Sequence, residues 1–298
     1  MGSDKDYADT DNYFQESFLR SGYPLQSTVS NDLSEHFDIQ NQPPFYDLDD
    51  RKFREGDILA KEIFPSILRM DRSANKHLVG RLVLTIECKN LPDHGWIFTE
   101  GKIKQNFWHF SLRGTEGMIN KNLMPLTALS QLVGTDSFLE RIIRPNPTKQ
   151  SRSNQRTNNI HDSSIKVIKL TRHIIEEDKK QAKTLYKYYN RRNEIVFFEV
   201  YQPVIIFNGN LFVKRLNQER LQRIKYLQLN REYKTLAYDE YATIHVVSAQ
   251  DIQEYIEIIR LYYMVGSQYI IDHQNQILNS VKGNLISWND FNPFRINF

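Results

Sequence analysis

Three ionisable residues stand at the ends of apolar, strand-like segments of this chain of 298 residues. Asp57 directly precedes Ile-Leu-Ala, and Glu87 and Lys89 close the run Leu-Val-Leu-Thr-Ile-Glu-Cys-Lys. Alternation along a strand puts Glu87 and Lys89 on one face and Cys88 on the other. Such an apolar run is typical of a strand buried on both faces, and a buried charge is costly unless it is paired or coordinates a metal. The pattern therefore indicates an ion pair or a metal site at this strand end.

The surroundings of Glu87 and Lys89 distinguish them from the other acidic-x-Lys tripeptides of the chain. Five more such tripeptides occur, each compatible with solvated surface: Asp50/Lys52, Glu100/Lys102, Glu177/Lys179, Asp178/Lys180 and Glu232/Lys234. The segment Glu-Gly-Asp-Ile-Leu-Ala lies thirty residues before Glu87. Because side chains at neighbouring strand ends can meet above a sheet, we expect Asp57, Glu87 and Lys89 to lie together. An alternative stays open, in which Asp57 caps a strand and Glu87 and Lys89 form an ordinary ion pair at a sheet edge.

Composition sets the class of protein. The chain is 40% hydrophobic and 25% charged, which is ample for a packed core in one large domain or two smaller ones. We expect a disordered acidic tail over residues 1–12 and a single domain over residues 13–298. Apolar stretches stay well short of the ~20 residues of a membrane span, and the acidic start is unlike a secretory signal. A single cysteine excludes an intramolecular disulfide and a cysteine-based metal site. These features predict a cytoplasmic protein that does not associate with membranes.

Charge is distributed unevenly along the chain. Residues 1–50 carry eleven acidic and two basic side chains, whereas residues 141–192 carry fourteen basic and four acidic ones. A basic concentration of this kind is expected of a polyanion binder, although a solvated helix face and loop would also explain it. Residues 144–162 are nearly devoid of apolar side chains, which predicts an exposed, mobile loop. Four of its basic residues are candidates for contacting a nucleic-acid backbone: Arg144, Lys149, Arg152 and Arg156.

Local patterns predict helices and strands in irregular alternation. A helix should begin near Pro24, with Leu25, Val29 and Leu33 spaced four apart on its buried side. The other expected elements are strands at residues 37–42, 54–60 and 81–89, helices at residues 126–144 and 164–190, strands within residues 194–216 joined by an Asn208-Gly209 hairpin turn, a strand at residues 243–249 and a helix at residues 250–265. This order predicts an α/β protein with a mixed sheet flanked by helices.

Asp57 followed by Glu87-Cys88-Lys89 resembles the core of the PD-(D/E)xK phosphodiesterase superfamily. Upstream, GYPLQSTVSNDLSEHF followed by FYDLDDRKFREGDILA is similar to the helix–strand–strand entry of bacterial nuclease-like proteins, and Trp96 follows the acidic-x-Lys strand as in that group. The resemblance spans residues 20–110, is thinner over residues 195–265 and does not extend to residues 111–194. It implies a restriction-endonuclease-like mixed sheet flanked by helices, with a basic loop and long helix inserted at about residues 141–192. A C-terminal β-hairpin, strand and helix would follow.

The resemblance also implies an activity, namely metal-dependent hydrolysis of phosphodiester bonds in DNA. Asp57 and Glu87 would hold Mg²⁺ or Mn²⁺, with the backbone carbonyl of Cys88 as a third ligand. Lys89 would position or help to deprotonate the attacking water. Many relatives carry a glutamate on the first helix that supports the metal. Gln26 occupies the matching position here, and Glu55 is a second candidate for that support.

Two functions stay open at this stage. The first is a nuclease on DNA, with RNA as an open alternative, that serves as an effector or subunit in defence, restriction or repair. Since the sequence contains no evident DNA-reading domain, a protein partner or a homodimer is expected. The second is an inactive nuclease fold that acts as a nucleic-acid-binding or scaffolding subunit, which Gln26 in place of an acid favours. No phosphate-loop, dinucleotide or zinc-ligand spacing occurs, which argues against an ATPase, a dinucleotide enzyme or a zinc enzyme.

Overall fold

The computed structural model describes residues 13–15, 17–19, 21–63, 66–69, 76–100, 107–112, 115–120, 133–142, 159–189, 194–215, 217–234 and 239–272. The helices are α1 (Tyr23–Leu33), α2 (Asn159–Tyr189) and α3 (Ile252–Asp272), and residues 13–15 and 17–19 are also helical. The strands are β1 (Phe37–Asn41), β2 (Pro44–Asp47), β3 (Lys52–Glu55), β4 (Ile58–Glu62), β5 (Ser66–Arg69), β6 (Lys76–Glu100), β7 (Phe107–Leu112), β8 (Thr115–Asn120), β9 (Val133–Ile142), β10 (Glu194–Lys214), β11 (Gln222–Arg223), β12 (Tyr226–Lys234) and β13 (Asp239–Ser248).

The strands form one large mixed sheet and one small hairpin. The large sheet follows the order β1-β4-β6-β9-β12-β13-β10-β7-β8, with β5 attached to β6 and β11 attached to β10, while β2 and β3 pair with each other. Its ladders are parallel between β6 and β10, β10 and β13, and β9 and β12, and antiparallel elsewhere. The predicted mixed sheet flanked by helices is confirmed, and the restriction-endonuclease-like arrangement stays a prediction.

Two long parallel strands, β6 and β10, form the centre of the sheet. They pair from Lys76 and Glu194 at one end to Thr99 and Lys214 at the other. Because β6 also pairs with β10 directly, the strands β6, β9, β12, β13 and β10 form a closed ring. The part of β6 that pairs with β4 on one side and with β10 on the other leads directly into Glu87.

Alternation along β6 gives the sheet two buried faces. Leu82, Leu84 and Ile86 belong to a core that includes residues of α1 and α3. On the opposite face, the Thr85 hydroxyl lies 2.5 Å from that of Thr171 on α2. The predicted strand at residues 81–89, buried on both faces, is therefore confirmed as part of β6. Its expected end at Lys89 is wrong, because β6 continues to Glu100 and pairs with β9 and β10 there.

The expected helices near Pro24, at residues 164–190 and at residues 250–265 are confirmed as α1, α2 and α3. The helix expected at residues 126–144 is wrong where the structure describes it, because residues 133–142 form strand β9. This segment pairs with β6 along one edge and with β12 along the other. Those ladders satisfy its backbone through residues distant in sequence, and tertiary pairing overrides local helix propensity.

The expected hairpin turn at Asn208-Gly209 is also wrong. Strand β10 continues through it, and the register with β6 shifts between Asn208 and Asn210. A β-carbon at Gly209 would collide with the Phe207 ring and lie 2.8 Å from the carbonyl oxygen of His94. The glycine is therefore needed for close packing of two strands and not for a reversal of the chain. The antiparallel pairings of this region lie later, between β10 and β11 and between β12 and β13.

The expected strand at residues 54–60 is interrupted. Residues up to Glu55 pair with β2 in the small hairpin, and pairing with the large sheet resumes at Ile58. Gly56 and Asp57 connect the two sheets. A break here releases Asp57 from the ladder, so that its backbone carbonyl can accept bonds from other elements.

Several expectations fall outside the described residues. These are the acidic tail at residues 1–12 and the four candidate nucleic-acid contacts Arg144, Lys149, Arg152 and Arg156. Of the predicted loop at residues 144–162, the last four residues are described, and they begin α2. Among the helices that are described, none has both the length and the apolar character needed to cross a membrane.

A buried ionic network joins α2 to the sheet. Lys61 Nζ lies 2.8 Å from Asp178 Oδ1, and Arg81 pairs with Glu199. The Tyr201 hydroxyl lies 2.7 Å from Glu199 Oε2 and 3.2 Å from Asp178 Oδ2. Burial, and next the Glu199 carboxylate, raise the pKa of Asp178, against the opposing effect of Lys61. The network thus fixes α2 above strands β4, β6 and β10. The Asp178 carboxyl in this network binds a proton more readily than an ordinary aspartate does.

We expect the network to give the stability of the protein a distinctive pH dependence. Because the folded-state pKa of Asp178 is raised above the usual 3.8, its contribution is full below that pH and is lost as pH rises through the folded pKa. The unfolding free energy of the wild type minus that of Asp178→Asn should therefore fall as pH rises above about 4. Urea unfolding at several pH values between about 3.5 and 7 measures this difference.

Glu177→Gln is the matched control for this experiment, because Glu177 is the neighbouring residue on α2. Its hydrogen bond from Lys180 lowers its pKa below the usual 4.5, so the corresponding difference should rise with pH. A difference for Asp178→Asn that rises in the same way would contradict the raised pKa.

Replacing Gly209 by alanine should destabilise the fold by about 1–3 kcal/mol, because the added methyl group would force apart β10 and β6. Gly22→Ala is the control, since a β-carbon there meets nothing within 4 Å. Urea midpoints at constant slope measure both changes. Equal stability of the two variants would show that the strands can accommodate the methyl group.

Candidate active site

The backbone of Asp57 is fixed by two elements on its N-terminal side. Its carbonyl oxygen accepts a hydrogen bond from the Gln42 amide at 2.9 Å, just after β1. It accepts a second from Gln26 Nε2 on α1, at 2.5 Å. The β4–β6 register pairs Ile58 with Ile86, and one more step places Asp57 opposite Glu87. These contacts place the Asp57 side chain at the end of β4 and beside β6.

Both oxygens of the Asp57 carboxylate have a donor. The Cys88 amide donates to Oδ2 at 2.6 Å, and Lys166 Nζ donates to Oδ1 at 2.9 Å. The hydrogen bond from Cys88 holds Oδ2 and so orients the Asp57 carboxylate, with Oδ1 directed at the Lys166 ammonium group.

The Glu87 carboxylate is 3% exposed and meets two ammonium groups. Lys166 Nζ lies 2.7 Å from Oε2, and Lys89 Nζ lies 3.1 Å from Oε1. Asp57, Glu87 and Lys89 therefore lie together as expected from the sequence. The two carboxylates also share a cation, because Lys166 binds both of them.

Burial and charge govern the protonation of these groups. Burial, and next the charge of Asp57, raise the pKa of Glu87, against the two lysines. Burial acts to lower the pKa of Lys166, but the carboxylates of Glu87 and Asp57 outweigh it, and the pKa is raised. The pKa of the Cys88 thiol is raised well above its usual value, first by burial and then by both carboxylates. Cys88 is thus a buried thiol on the face opposite Glu87 and not a nucleophile.

The other predicted site residues lie differently. Gln26 contacts the backbone of Asp57 and not its carboxylate, so its role as support for a metal-bound water stays a prediction. Glu55 is exposed in the β2–β3 hairpin, whereas Asp57 lies in the connection to β4 of the large sheet, which makes the expected regular strand between them wrong.

Sequence reasoning missed Lys166. It lies on α2, within the basic region that the sequence presented as either a polyanion-binding patch or a solvated face. Two of its lysines are instead directed at carboxylates of the sheet and hairpin: Lys166, and Lys169, whose Nζ lies 2.8 Å from Asp47 Oδ1. A signal does exist in the sequence, because both lysines lie directly beside apolar residues of the same helix. These neighbours, Val167, Ile168 and Leu170, are buried in the structure.

The donor set of this site fits a hard divalent cation. Asp57 Oδ1 and Glu87 Oε2 both approach one cationic nitrogen within 3 Å. Mg²⁺ takes oxygen ligands from one or two carboxylates and keeps several waters, and Mn²⁺ accepts the same ligands. Within the described residues, no group of three or more His, Cys, Asp or Glu side chains is arranged to hold a metal. Asp57 and Glu87 are the two acidic side chains that would hold such an ion at this site.

Comparisons with known proteins give no match: neither a protein-family model, nor a curated protein, nor a solved structure matches the chain. The likeness to PD-(D/E)xK proteins therefore stays a prediction from the sequence motif.

Gln26→Glu tests what α1 contributes to the site. We expect the variant to lose about 1–3 kcal/mol of stability, since a carboxylate oxygen would replace the amide donor that faces the Asp57 carbonyl. Gln42→Glu makes the same change at an exposed side chain and should be nearly neutral. Urea unfolding compares the two. Unchanged stability of Gln26→Glu together with tighter Mn²⁺ binding would instead place residue 26 in the metal-supporting role.

Proposed function

We propose that this protein is a metal-dependent nuclease that hydrolyses phosphodiester bonds in DNA. The observation that carries the proposal is the convergence of the Asp57 and Glu87 carboxylates on one cation, with the Lys89 ammonium on the second oxygen of Glu87. Two acids and a lysine, from β6 and from the residue before β4, form the set of groups that such hydrolysis requires.

Asp57 and Glu87 would hold Mg²⁺ or Mn²⁺, and by resemblance the backbone carbonyl of Cys88 would be a third ligand. When bound, the ion would supply Lewis acidity and lower the pKa of a bound water. The Cys88 amide keeps Asp57 Oδ1 directed at the position of the shared cation, and Gln26 and Gln42 keep the Asp57 backbone in place. Two of these contacts, those of Gln26 and Gln42, come from parts of the chain that carry none of the ligands proposed here.

Lys89 would position the attacking water and offset charge on the phosphate. Its ammonium lies 3.1 Å from Glu87, and the side chain is 28% exposed, so that it contacts both the buried acid and solvent. Hydrolysis adds water across a P–O bond: the water oxygen bonds phosphorus and loses a proton, while the leaving oxygen gains one. The Lys89 ammonium would stabilise the negative charge that develops on the oxygens during this proton and phosphoryl transfer.

A second candidate function is supported by two observations. Lys89 and Lys166 balance the charges of Glu87 and Asp57, and Gln26 adds no acid. A site neutralised in this way suits a nucleic-acid-binding or scaffolding subunit that has kept the fold without activity. Under either function we propose a cytoplasmic protein that acts with a protein partner or as a homodimer. Placement in a defence, restriction or repair system rests on analogy with small nuclease-like proteins.

Nicking of a supercoiled plasmid with Mg²⁺ or Mn²⁺ tests the enzymatic proposal. We expect Lys89→Ala to reduce the rate by about 10²–10⁴-fold, the usual contribution of a proton-transfer group, and Glu87→Ala to reduce it at least as much. Both changes remove groups that the mechanism places at the reacting water or the ion.

Lys180→Ala is the matched control, because Asp178 and Lys180 form another acidic-x-Lys tripeptide and the Lys180 side chain is 70% exposed. It should nick at the wild-type rate. Equal rates for Lys89→Ala, Glu87→Ala and the wild type would remove the site assignment. No metal-dependent nicking by any of the proteins, combined with retained DNA binding, would favour the scaffolding function.

A further inference from the structure

Lys166 occupies the one position that both carboxylates of the site share. Its Nζ lies 2.9 Å from Asp57 Oδ1 and 2.7 Å from Glu87 Oε2. It comes from α2, whereas Glu87 and Lys89 lie on β6 and Asp57 directly precedes β4. The cation that the two carboxylates share is therefore supplied by a separate element packed over the sheet.

We propose that Lys166 is a built-in competitor of the divalent cation: a metal ion binds Asp57 and Glu87 by displacing the Lys166 ammonium, and the displaced ammonium then binds the phosphate of the substrate. This inference rests on the proposed function, and it adds a regulation of the same site. Metal binding and nucleic-acid binding would be coupled through one side chain.

Displacement follows from the geometry. Mg²⁺ binds oxygen at about 2.0–2.1 Å, and a carboxylate oxygen directed at an ammonium cannot take that ligand position as well without bringing two cations into contact. The repulsion is strong here because Glu87 is buried and weakly screened by solvent. One cation must leave before the other binds both oxygens.

The Lys166 side chain is able to move. It is 32% exposed, and a lysine ammonium is a point charge on a flexible four-carbon stem. Once displaced, it loses both carboxylates as partners. A phosphodiester arriving at the metal supplies a new negative charge close by, so that substrate stabilises the displaced position. By linkage, substrate must then strengthen metal binding as much as metal strengthens substrate binding.

Charge sets the direction of the effect. Asp57 and Glu87 together with Lys89 and Lys166 have a formal charge of zero, because two acids face two ammonium groups. Removing the Lys166 charge leaves a net negative site. Without the Lys166 charge, a metal ion should bind more tightly in the absence of substrate than it does in the wild type. Substrate should then increase the metal affinity only slightly.

The test measures Mn²⁺ binding to the full chain by electron paramagnetic resonance of the free ion, at pH 7.5. Lys166→Met keeps most of the length of the stem and should bind Mn²⁺ at least about tenfold more tightly than the wild type, within the usual range of coupling between sites. Lys166→Arg keeps the charge and should bind about as weakly as the wild type. A hydrolysis-resistant phosphorothioate DNA duplex should tighten Mn²⁺ binding about tenfold in the wild type and less than threefold in Lys166→Met.

Lys169→Met is the matched control for the fold. Lys169 lies on the same helix and also pairs with a buried carboxylate, that of Asp47, away from the site. This variant should bind Mn²⁺ as the wild type does, and thermal unfolding reports the folded fraction of every variant. Asp57→Asn should abolish the binding, which shows where the ion lies.

The outcomes separate the two proposals. Unchanged Mn²⁺ affinity in Asp57→Asn would overturn the proposed function, because the ion would not lie on the carboxylate pair. Loss of binding in Asp57→Asn together with equal affinity in Lys166→Met and the wild type would overturn displacement alone. Tighter binding by Lys166→Arg would show that the lysine acts through its shape and not its charge, which also overturns the competition. Should Lys166→Met fail to fold, Lys166→Gln takes its place with the same expectation.

Discussion

The meeting of two carboxylates around one cation is the constraint on which the rest of the structure depends. Asp57 and Glu87 repel each other, and burial of Glu87 makes that repulsion strong. They can lie together in the folded chain only because a positive group lies between them. The β4–β6 register, the bonds of Gln26 and Gln42 to the Asp57 backbone and the placement of α2 all serve this arrangement.

Helix α2 carries charges along the side that packs on the protein. Lys166 meets the acids of the site, Lys169 meets Asp47 of the β2–β3 hairpin, and Asp178 meets Lys61 of β4. Apolar residues such as Leu170 and Ile175 fill the intervals. Purely apolar surfaces can slide past one another at little cost, whereas each of these charges has its own partner. Breaking a buried pair costs about 3–5 kcal/mol, so a shift of the helix by one turn is strongly disfavoured.

The local sequence was sufficient where structure depends on periodicity. Spacing of Leu25, Val29 and Leu33 predicted α1, and strict alternation predicted both faces of the central strand and the convergence of Asp57 with Glu87. The local sequence was not sufficient where the secondary structure depends on pairing between strands that are distant in sequence. Strand β9 exists because β6 and β12 lie on either side of it, and Asn208-Gly209 remains extended because β6 runs beside it. Lys166 was not predicted for a similar reason. The local sequence of a basic helix does not distinguish a lysine that faces solvent from one that faces a carboxylate of a distant strand.

The parallel β6–β10 ladder also determines when the site can exist during synthesis. The Asn90–Asn208 side-chain bond in this ladder joins residues 118 positions apart, with α2 encoded between them. Folds dominated by such distant pairings form slowly, on the order of milliseconds to seconds. On the ribosome, the acids at residues 57 and 87 emerge long before the helix that neutralises them and the strand that covers them. A nascent chain halted before residue 166 therefore lacks the ammonium that the assembled site requires.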